Sequence, residues 1–282
     1  MTTTRSHASA ANAAASAQHD LTSTIAKAEL LRALHVPGSP LIVVNVWDAV
    51  TARIVAGVPG VTALATASHA VSFAHGVEDG EGLTVQQALA AAELIADSVD
   101  IPVSVDFEKG YARDAAGVQH NVEQLISTGA AGINLEDSIG QPKAPTFDIE
   151  TATARVGAAR AAAASTGVPL VINARVDTLA GGGDWDDAVA RANAYLGAGA
   201  DCIFFLGLST EELVQRAIGA VGGPISVIAR PGAVPLKRLA ELGVARVSFG
   251  PGALGLTLAH LSAAAEQLTA LGDYPAELGF SY

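Results

Sequence analysis

In the stretch Gly129-Ala130-Ala131-Gly132-Ile133-Asn134-Leu135-Glu136-Asp137-Ser138, a glycine closes a helical run, a five-residue strand follows, and the strand ends on two carboxylates and a hydroxyl. The run ahead of it, Ala115–Ser127, has helical composition. Glycine takes the left-handed conformation that terminates helices without steric cost. The same placement recurs at Gly167, Gly199 and Gly243, each between a helical run and a strand-like segment. Helix, glycine and β-branched strand, repeated in that order, mark βα units and a parallel sheet.

Extended to both ends of the chain, this pattern predicts strands at Leu41–Val46, Thr62–Thr66, Pro102–Asp106, Gly132–Glu136, Pro169–Asn173, Asp201–Phe205, Ile225–Ala229 and Arg246–Phe249. Helical stretches fall at Val85–Ser98, Ala115–Ser127, Thr151–Ser165, Asp186–Gly197 and Pro235–Leu242. Thr84 with Gln87, and Ser209 with Glu212, have capping-box spacing, in which a hydroxyl satisfies a free amide of the first turn. Eight strands with helices between them fit a closed α/β barrel of the TIM type, a fold of about 250 residues. An open doubly wound sheet usually carries a glycine fingerprint after its first strand, and Val46-Trp47-Asp48 is not one. The expectation is a single-domain (β/α)8 barrel over residues 23–282 with C-terminal helices. A poorly ordered arm over residues 1–22 precedes it, rich in Ala, Ser and Thr and without the apolar core of a secretory signal.

Half of the 282 residues are hydrophobic and 16% are charged, which suffices to bury a large core. No apolar run reaches the roughly 20 residues that a membrane span needs. The net charge of −12 argues against nucleic acid and against an anionic membrane surface. An anionic substrate would then need a metal or an arginine to make its site locally positive. Cys202, the only cysteine, lies in the apolar run Cys202-Ile203-Phe204-Phe205 and reads as a core residue. With no internal disulfide to form, the chain fits a cytoplasmic home.

Barrels carry their active sites at the carboxyl ends of their strands. Here five consecutive strands end on polar residues: Trp47-Asp48, Thr66-Ala67-Ser68-His69, Asp106-Phe107-Glu108-Lys109-Gly110-Tyr111, Glu136-Asp137-Ser138 and Asn173-Ala174-Arg175-Val176-Asp177. Asp106 and Glu108 are two apart, so an extended backbone puts both on the mouth side. Glu136 ends the neighbouring strand. Taken singly, each acid also fits a helix cap or an ion pair. Taken together, Asp106, Glu108 and Glu136 would repel one another unless a cation sits among them, and hard oxygen donors select Mg²⁺ or Mn²⁺. Arg175 offers a permanently charged bidentate clamp for a substrate carboxylate, and an inter-loop ion pair is its alternative.

At these residues the sequence resembles the isocitrate lyase and phosphoenolpyruvate mutase superfamily, in its branch of smaller mutase-like proteins, from about Leu41 to Leu261. The marks are Asn45-Val46-Trp47-Asp48-Ala49, Thr66-Ala67-Ser68, Gly76-Val77-Glu78-Asp79-Gly80-Glu81, Asp106 to Tyr111, Gly132 to Ser138 and Asn173 to Asp177, in that order. The resemblance implies that Asp106 binds Mg²⁺ directly while Glu108, Glu136 and Asp79 hold its waters. It implies that backbone amides around Ser68 and His69 receive a substrate carboxylate, with Trp47 and Asp48 lining the pocket, Asn173 beside the substrate and Arg175 at its other end. The implied activity makes or breaks a C–C or C–P bond of a small 2-oxo or 2-hydroxy carboxylate through an enolate-like species, with Arg175, Asp48 and Asp79 as its catalytic residues. It also implies a homo-oligomer, a tetramer or dimer, with the last barrel helix exchanged between subunits; the apolar stretch Ala253–Leu271 is long enough for such an arm and equally able to pack on its own barrel. The Lys-Lys/Arg-Cys-Gly-His loop of the isocitrate and methylisocitrate lyases is missing: the loop after the fourth strand reads Ile139-Gly140-Gln141-Pro142-Lys143-Ala144-Pro145-Thr146, with Lys143 its only cation. Isocitrate-type cleavage is therefore disfavoured. Two other readings compete. Arg230-Pro231-Gly232-Ala233 and Gly250-Pro251-Gly252-Ala253-Leu254-Gly255 resemble a phosphate cradle, as in a sugar-phosphate aldolase or isomerase, and a non-catalytic barrel binding a small acid is the third.

Overall fold

The computed structural model describes residues 20–140 and 145–274. Within them the elements run α1 (Leu21–Ala33), β1 (Leu41–Val43), β2 (Asn45–Val46), α2 (Ala49–Ala56), β3 (Leu64–Thr66), α3 (Ser68–Ala74), α4 (Val85–Asp97), β4 (Val103–Asp106), α5 (Ala115–Ser127), β5 (Gly132–Glu136), α6 (Ile149–Thr166), β6 (Val171–Val176), α7 (Trp185–Gly197), β7 (Cys202–Phe205), α8 (Glu211–Ala220), β8 (Ile225–Ile228), α9 (Leu236–Leu242), β9 (Arg246–Ser248) and α10 (Gly252–Thr269). All strand pairs are parallel, in the order β1-β9-β8-β7-β6-β5-β4-β3-β2. β1 and β2 are the expected first strand, interrupted at Val44. Its first half pairs with β9 and its second with β3, which closes the barrel at eight strand positions. Closure leaves no edge strand to cover.

The local signals behave as chemistry dictates. Thr84 and Gln87 form a complete capping box on α4. Gly129, Gly167, Gly199 and Gly243 all have positive φ, from 74° to 106°. Two expectations shift. Thr210, not Ser209, caps α8, its hydroxyl accepting from the Leu213 amide at 3.3 Å. β6 begins at Val171 and runs on through Val176, past the expected Pro169–Asn173. Pro169 has no N–H to give a ladder, and Arg175 continues the register opposite Glu136.

α1 lies across the amino ends of the strands. Arg32 donates to the Pro169 carbonyl at 3.2 Å and pairs with Asp201 at 3.1 Å, and Lys27 donates to the Val99 carbonyl at 3.0 Å. At Gly132 a Cβ would stand 2.7 Å from Leu31 Cδ2 and 2.9 Å from the Val171 carbonyl, so the helix approaches the sheet only because that side chain is absent. α1 starts at Leu21, inside the segment expected as an arm, and residues 1–19 lie outside the described residues. With this end plugged, access is left to the opposite mouth. The interior is filled by apolar side chains and one polar layer. There Arg246 reaches Ser104 Oγ at 3.2 Å and Asn134 Oδ1 at 3.4 Å, and Asn173 donates to Asn134 at 2.8 Å. Cys202 is fully buried and its thiol is pushed up to about 12 by burial, which fits a core role. Among the described residues no helix is long and apolar enough to cross a membrane.

Candidate active site

β3 ends at Thr66, and α3 starts two residues later at Ser68. The Asp106 amide donates to Thr66 Oγ1 at 2.8 Å, and the Ser68 amide donates to Asp106 Oδ2 at 2.9 Å. Asp106 is thus pinned at the start of a helix, where free N–H groups favour negative charge. Burial nonetheless raises its carboxyl, while Arg175 and the Ser68 amide pull the other way.

Glu108 does not share the extended face of Asp106. Its φ of 47° is left-handed, and its carboxylate turns aside to accept from the Tyr111 hydroxyl at 2.7 Å and from the Glu81 amide. It is buried, and burial pushes its carboxyl up to about 7. Glu136 accepts from the Ser138 hydroxyl at 2.7 Å and meets Arg175 Nη1 at 2.5 Å. Burial raises it to about 8 despite that arginine. Among the described residues no three His, Cys, Asp or Glu side chains converge as a metal cage. The expected trio is therefore spread around the mouth, because like charges at this burial each turn to a donor of their own. Asp106 still contributes to the upward shift of both Glu108 and Glu136. An all-oxygen set of this kind fits a hard cation touching Asp106, and does not fit three direct carboxylate ligands.

Arg175 sits within β6, two residues before Asp177. Its Nε and Nη2 clasp the Asp177 carboxylate at 2.6 and 2.7 Å, and Nη1 holds Glu136. Burial works against the guanidinium charge, but Glu136 and Asp177 more than offset it. Three of its five N–H donors are committed, which leaves two for a ligand. Asp177 is itself held from behind, its amide donating to Asp137 Oδ1 at 2.9 Å while Tyr195 donates to Asp137 Oδ2 at 2.7 Å.

Between these groups lies a cavity of about 140 Å³, lined by Ser68, His69, Asp79, Asp106, Arg175 and Arg230 among others. His69 Nδ1 is 3.6 Å from Asp79 Oδ2. Five expected residues do not line it: Glu108 and Glu136, turned to the partners described above, and Trp47, Asp48 and Asn173. The Asp48 carboxylate caps α2, accepting from the Thr51 amide at 2.7 Å and the Thr51 hydroxyl at 2.8 Å. Trp47 packs on Ala67, Ala70 and Leu254 beside the mouth. Asn173 lies deeper, paired to Asn134, which does face the cavity. Lys143 lies outside the described residues. Asn45, Phe204 and Ser248 also line the cavity, none of them expected as a site residue, and their placement near strand carboxyl ends was the available signal.

The family model for phosphoenolpyruvate phosphomutase matches residues 31–269. A 2-methylisocitrate lyase of Escherichia coli (strain K12) is 34% identical over 171 residues, 59% of this chain and 57% of that one. An oxaloacetate decarboxylase of Rhodopseudomonas palustris (strain HaA2) is 27% identical over 242 residues, 80% and 82% of the two chains. The crystal structure of 2,3-dimethylmalate lyase superposes with a TM-score of 0.79 at 28% identity, covering 90% of this chain and 89% of that one.

Proposed function

The chain belongs to the phosphoenolpyruvate phosphomutase family, within the isocitrate lyase/phosphoenolpyruvate mutase superfamily, and on that premise we propose a Mg²⁺-dependent lyase or mutase. Its substrate is a small 2-oxo or 2-hydroxy mono- or dicarboxylate, in which it makes or breaks a C–C or C–P bond through an enolate-like intermediate. One observation carries the reading: the 140 Å³ cavity has the helix-pinned carboxylate of Asp106 and the braced guanidinium of Arg175 in its lining. The relatives named above, a 2-methylisocitrate lyase and an oxaloacetate decarboxylase, support a small acid as substrate.

In this reading Asp106 contacts the metal directly, and Glu108, Glu136 and Asp79 hold its waters. Bound Mg²⁺ supplies Lewis acidity that stabilises the negative charge developing on a 2-oxo oxygen. The first-turn amides of α3 at Ser68 and His69 receive one end of the substrate, and the two uncommitted N–H groups of Arg175 receive a carboxylate at the other. Arg175 is fixed in advance by Asp177, so no reorganisation accompanies binding. Cys202 is buried in the core and cannot stand in for the cysteine of the lyase loop, so isocitrate-type cleavage stays disfavoured.

Turnover of oxaloacetate and a panel of other 2-oxo and 2-hydroxy acids, followed with Mg²⁺, Mn²⁺ and excess chelator, tests the proposal. Chelator is expected to abolish turnover and either metal to restore it. Full activity in chelator, or failure to turn over any acid of the panel, would overturn it.

We also propose that the chain forms a homo-oligomer through α10. Leu254 is the helix's only buried residue, while Leu256 and Leu261 are 77% and 63% exposed. Beside it an apolar groove of about 740 Å³ runs over Val234, Pro235, Leu236 and Phe249. Exposed apolar patches of this kind mark association surfaces. Light scattering should give a dimer or tetramer mass, and a monomer at micromolar concentration would count against it.

A further inference from the structure

The segment Phe107–Ala112, which follows β4 and carries Glu108 and Tyr111, holds an unusual backbone. Glu108, Gly110 and Tyr111 all have left-handed φ, at 47°, 88° and 53°. Only glycine takes that region freely, so two residues with side chains are held in it against their preference. Such a conformation persists only where its surroundings over-determine it.

The surroundings do so carbonyl by carbonyl. The Phe107 oxygen accepts from the Gly110 amide at 2.8 Å and the Glu108 oxygen from the Glu136 amide at 2.8 Å. The next four are taken by two side chains from the helices packed beneath. Arg155 on α6 gives both hydrogens of Nη2, one to the Lys109 oxygen at 2.6 Å and one to the Ala112 oxygen at 2.9 Å. Asn121 on α5 gives both hydrogens of Nδ2, to the Gly110 oxygen at 3.0 Å and the Tyr111 oxygen at 2.9 Å. Both side chains are buried, and neither touches the cavity. Arg155 has no carboxylate within ion-pair distance among the described residues, its Nε and Nη1 make no hydrogen bond, and its guanidinium lies over the Phe147 ring, 4.6 Å from the centroid. The ring offsets only part of the cost of burying a guanidinium that has no paired carboxylate. What the guanidinium does at this place is grip two carbonyls of one loop.

We infer that Arg155 and Asn121 are positioning residues, a two-sided clamp on the carbonyls of residues 109–112 that sets the left-handed turn and thereby the placement of Glu108 and Tyr111 at the mouth. The inference rests on the reading that Glu108 serves the metal's outer shell. Asn121 is the finer element: one amide group spans two successive carbonyls, a geometry that neither aspartate nor alanine reproduces.

The test compares the parent with Asn121→Ala and, as a milder change, Arg155→Lys. Val214→Ala, on the buried face of α8 and outside the cavity lining, serves as a control for general destabilisation. The first measurement is hydrogen–deuterium exchange of the metal-free proteins. Both clamp variants should exchange the amides of residues 108–112 at least about tenfold faster while the strands stay protected. The second is calorimetric titration with Mg²⁺, where loss of such supporting contacts should weaken binding about 10- to 100-fold, less for Arg155→Lys than for Asn121→Ala. Val214→Ala should lower the melting temperature and leave Mg²⁺ affinity unchanged. Parent-like exchange in the 108–112 segment of folded clamp variants overturns the clamp, as does an equal loss of Mg²⁺ affinity in the control. If the parent takes up no Mg²⁺ or Mn²⁺ at all, the metal reading fails while the exchange comparison still decides the clamp.

Discussion

Asp106→Ala is expected to remove metal-dependent turnover almost completely, by about 10³-fold or more in kcat/KM. A Lewis-acid contribution of about 4 kcal/mol corresponds to that factor at 1.36 kcal/mol per tenfold. Two functions are lost together, because Asp106 is both the proposed direct ligand and the acceptor for the Ser68 amide that starts α3. Asp106→Asn separates them: it keeps an acceptor oxygen for Ser68 and loses the charge. Turnover and Mg²⁺ binding should collapse in both variants. Thermal stability without metal should rise in Asp106→Asn, since burial already raises the carboxyl and the amide carries no charge to desolvate. Calorimetry showing parent-like Mg²⁺ affinity in either variant would place the metal elsewhere.

The neighbouring acids set the sign of the pH dependence. Burial raises Glu108 from 4.5 to about 7 and Glu136 from 4.5 to about 8. The folded metal-free chain thus binds protons that the unfolded chain has already released. Their contribution to stability is full below about pH 4.5 and is lost as pH climbs through about 7 to 8. A divalent cation favours the ionised carboxylates, so the stabilisation added by Mg²⁺ should grow over the same window.

The eight-strand barrel was legible because its signals are local. Helix-ending glycines, one capping box and runs of β-branched residues each report on a few neighbouring residues, and they agree with one another. The strand ends that bear chemistry were legible for the same reason: alternation along a strand says which residues share a face. The details of the site that went astray depend on contacts between distant segments. Nothing in Trp47-Asp48-Ala49 announces that Asp48 caps α2 and does not line the cavity. The left-handed turn at Glu108 defeats the rule that puts residues two apart on one face, and its determinants, Asn121 and Arg155, lie on two later helices. Asn173 moved out of the lining because β6 extends three residues further than expected, which lifts Arg175 to the mouth and leaves Asn173 a layer below.

Arg175 is where substrate binding and folding meet, and Arg175→Ala is expected to cost both. A charge-assisted bond from its free N–H groups to a substrate carboxylate in a partly dry pocket is worth about 2–4 kcal/mol, or roughly 30- to 1000-fold in kcat/KM. Removing the guanidinium also strands Glu136 and Asp177, and breaking a buried pair by deleting one partner costs about 3–5 kcal/mol of stability. The lower end applies, because burial already pushes the Glu136 carboxyl up to about 8, so it takes up a proton instead of staying an unpaired charge once the guanidinium is gone. Arg175→Lys keeps a charge for Glu136 but cannot reproduce the fork on Asp177, made by Nε and Nη2 at 2.6 and 2.7 Å. It should recover most of the stability and only part of the activity. The two contributions separate in a titration series. Mg²⁺ affinity should survive in both Arg175 variants, while oxalate, added at saturating Mg²⁺ as a mimic of the pyruvate enolate, should bind Arg175→Ala at least about 30-fold more weakly. If Arg175→Ala binds oxalate and turns over substrate as the parent does, while its melting temperature falls, Arg175 serves only to neutralise Glu136 and Asp177, and the substrate carboxylate must be held by another group lining the cavity.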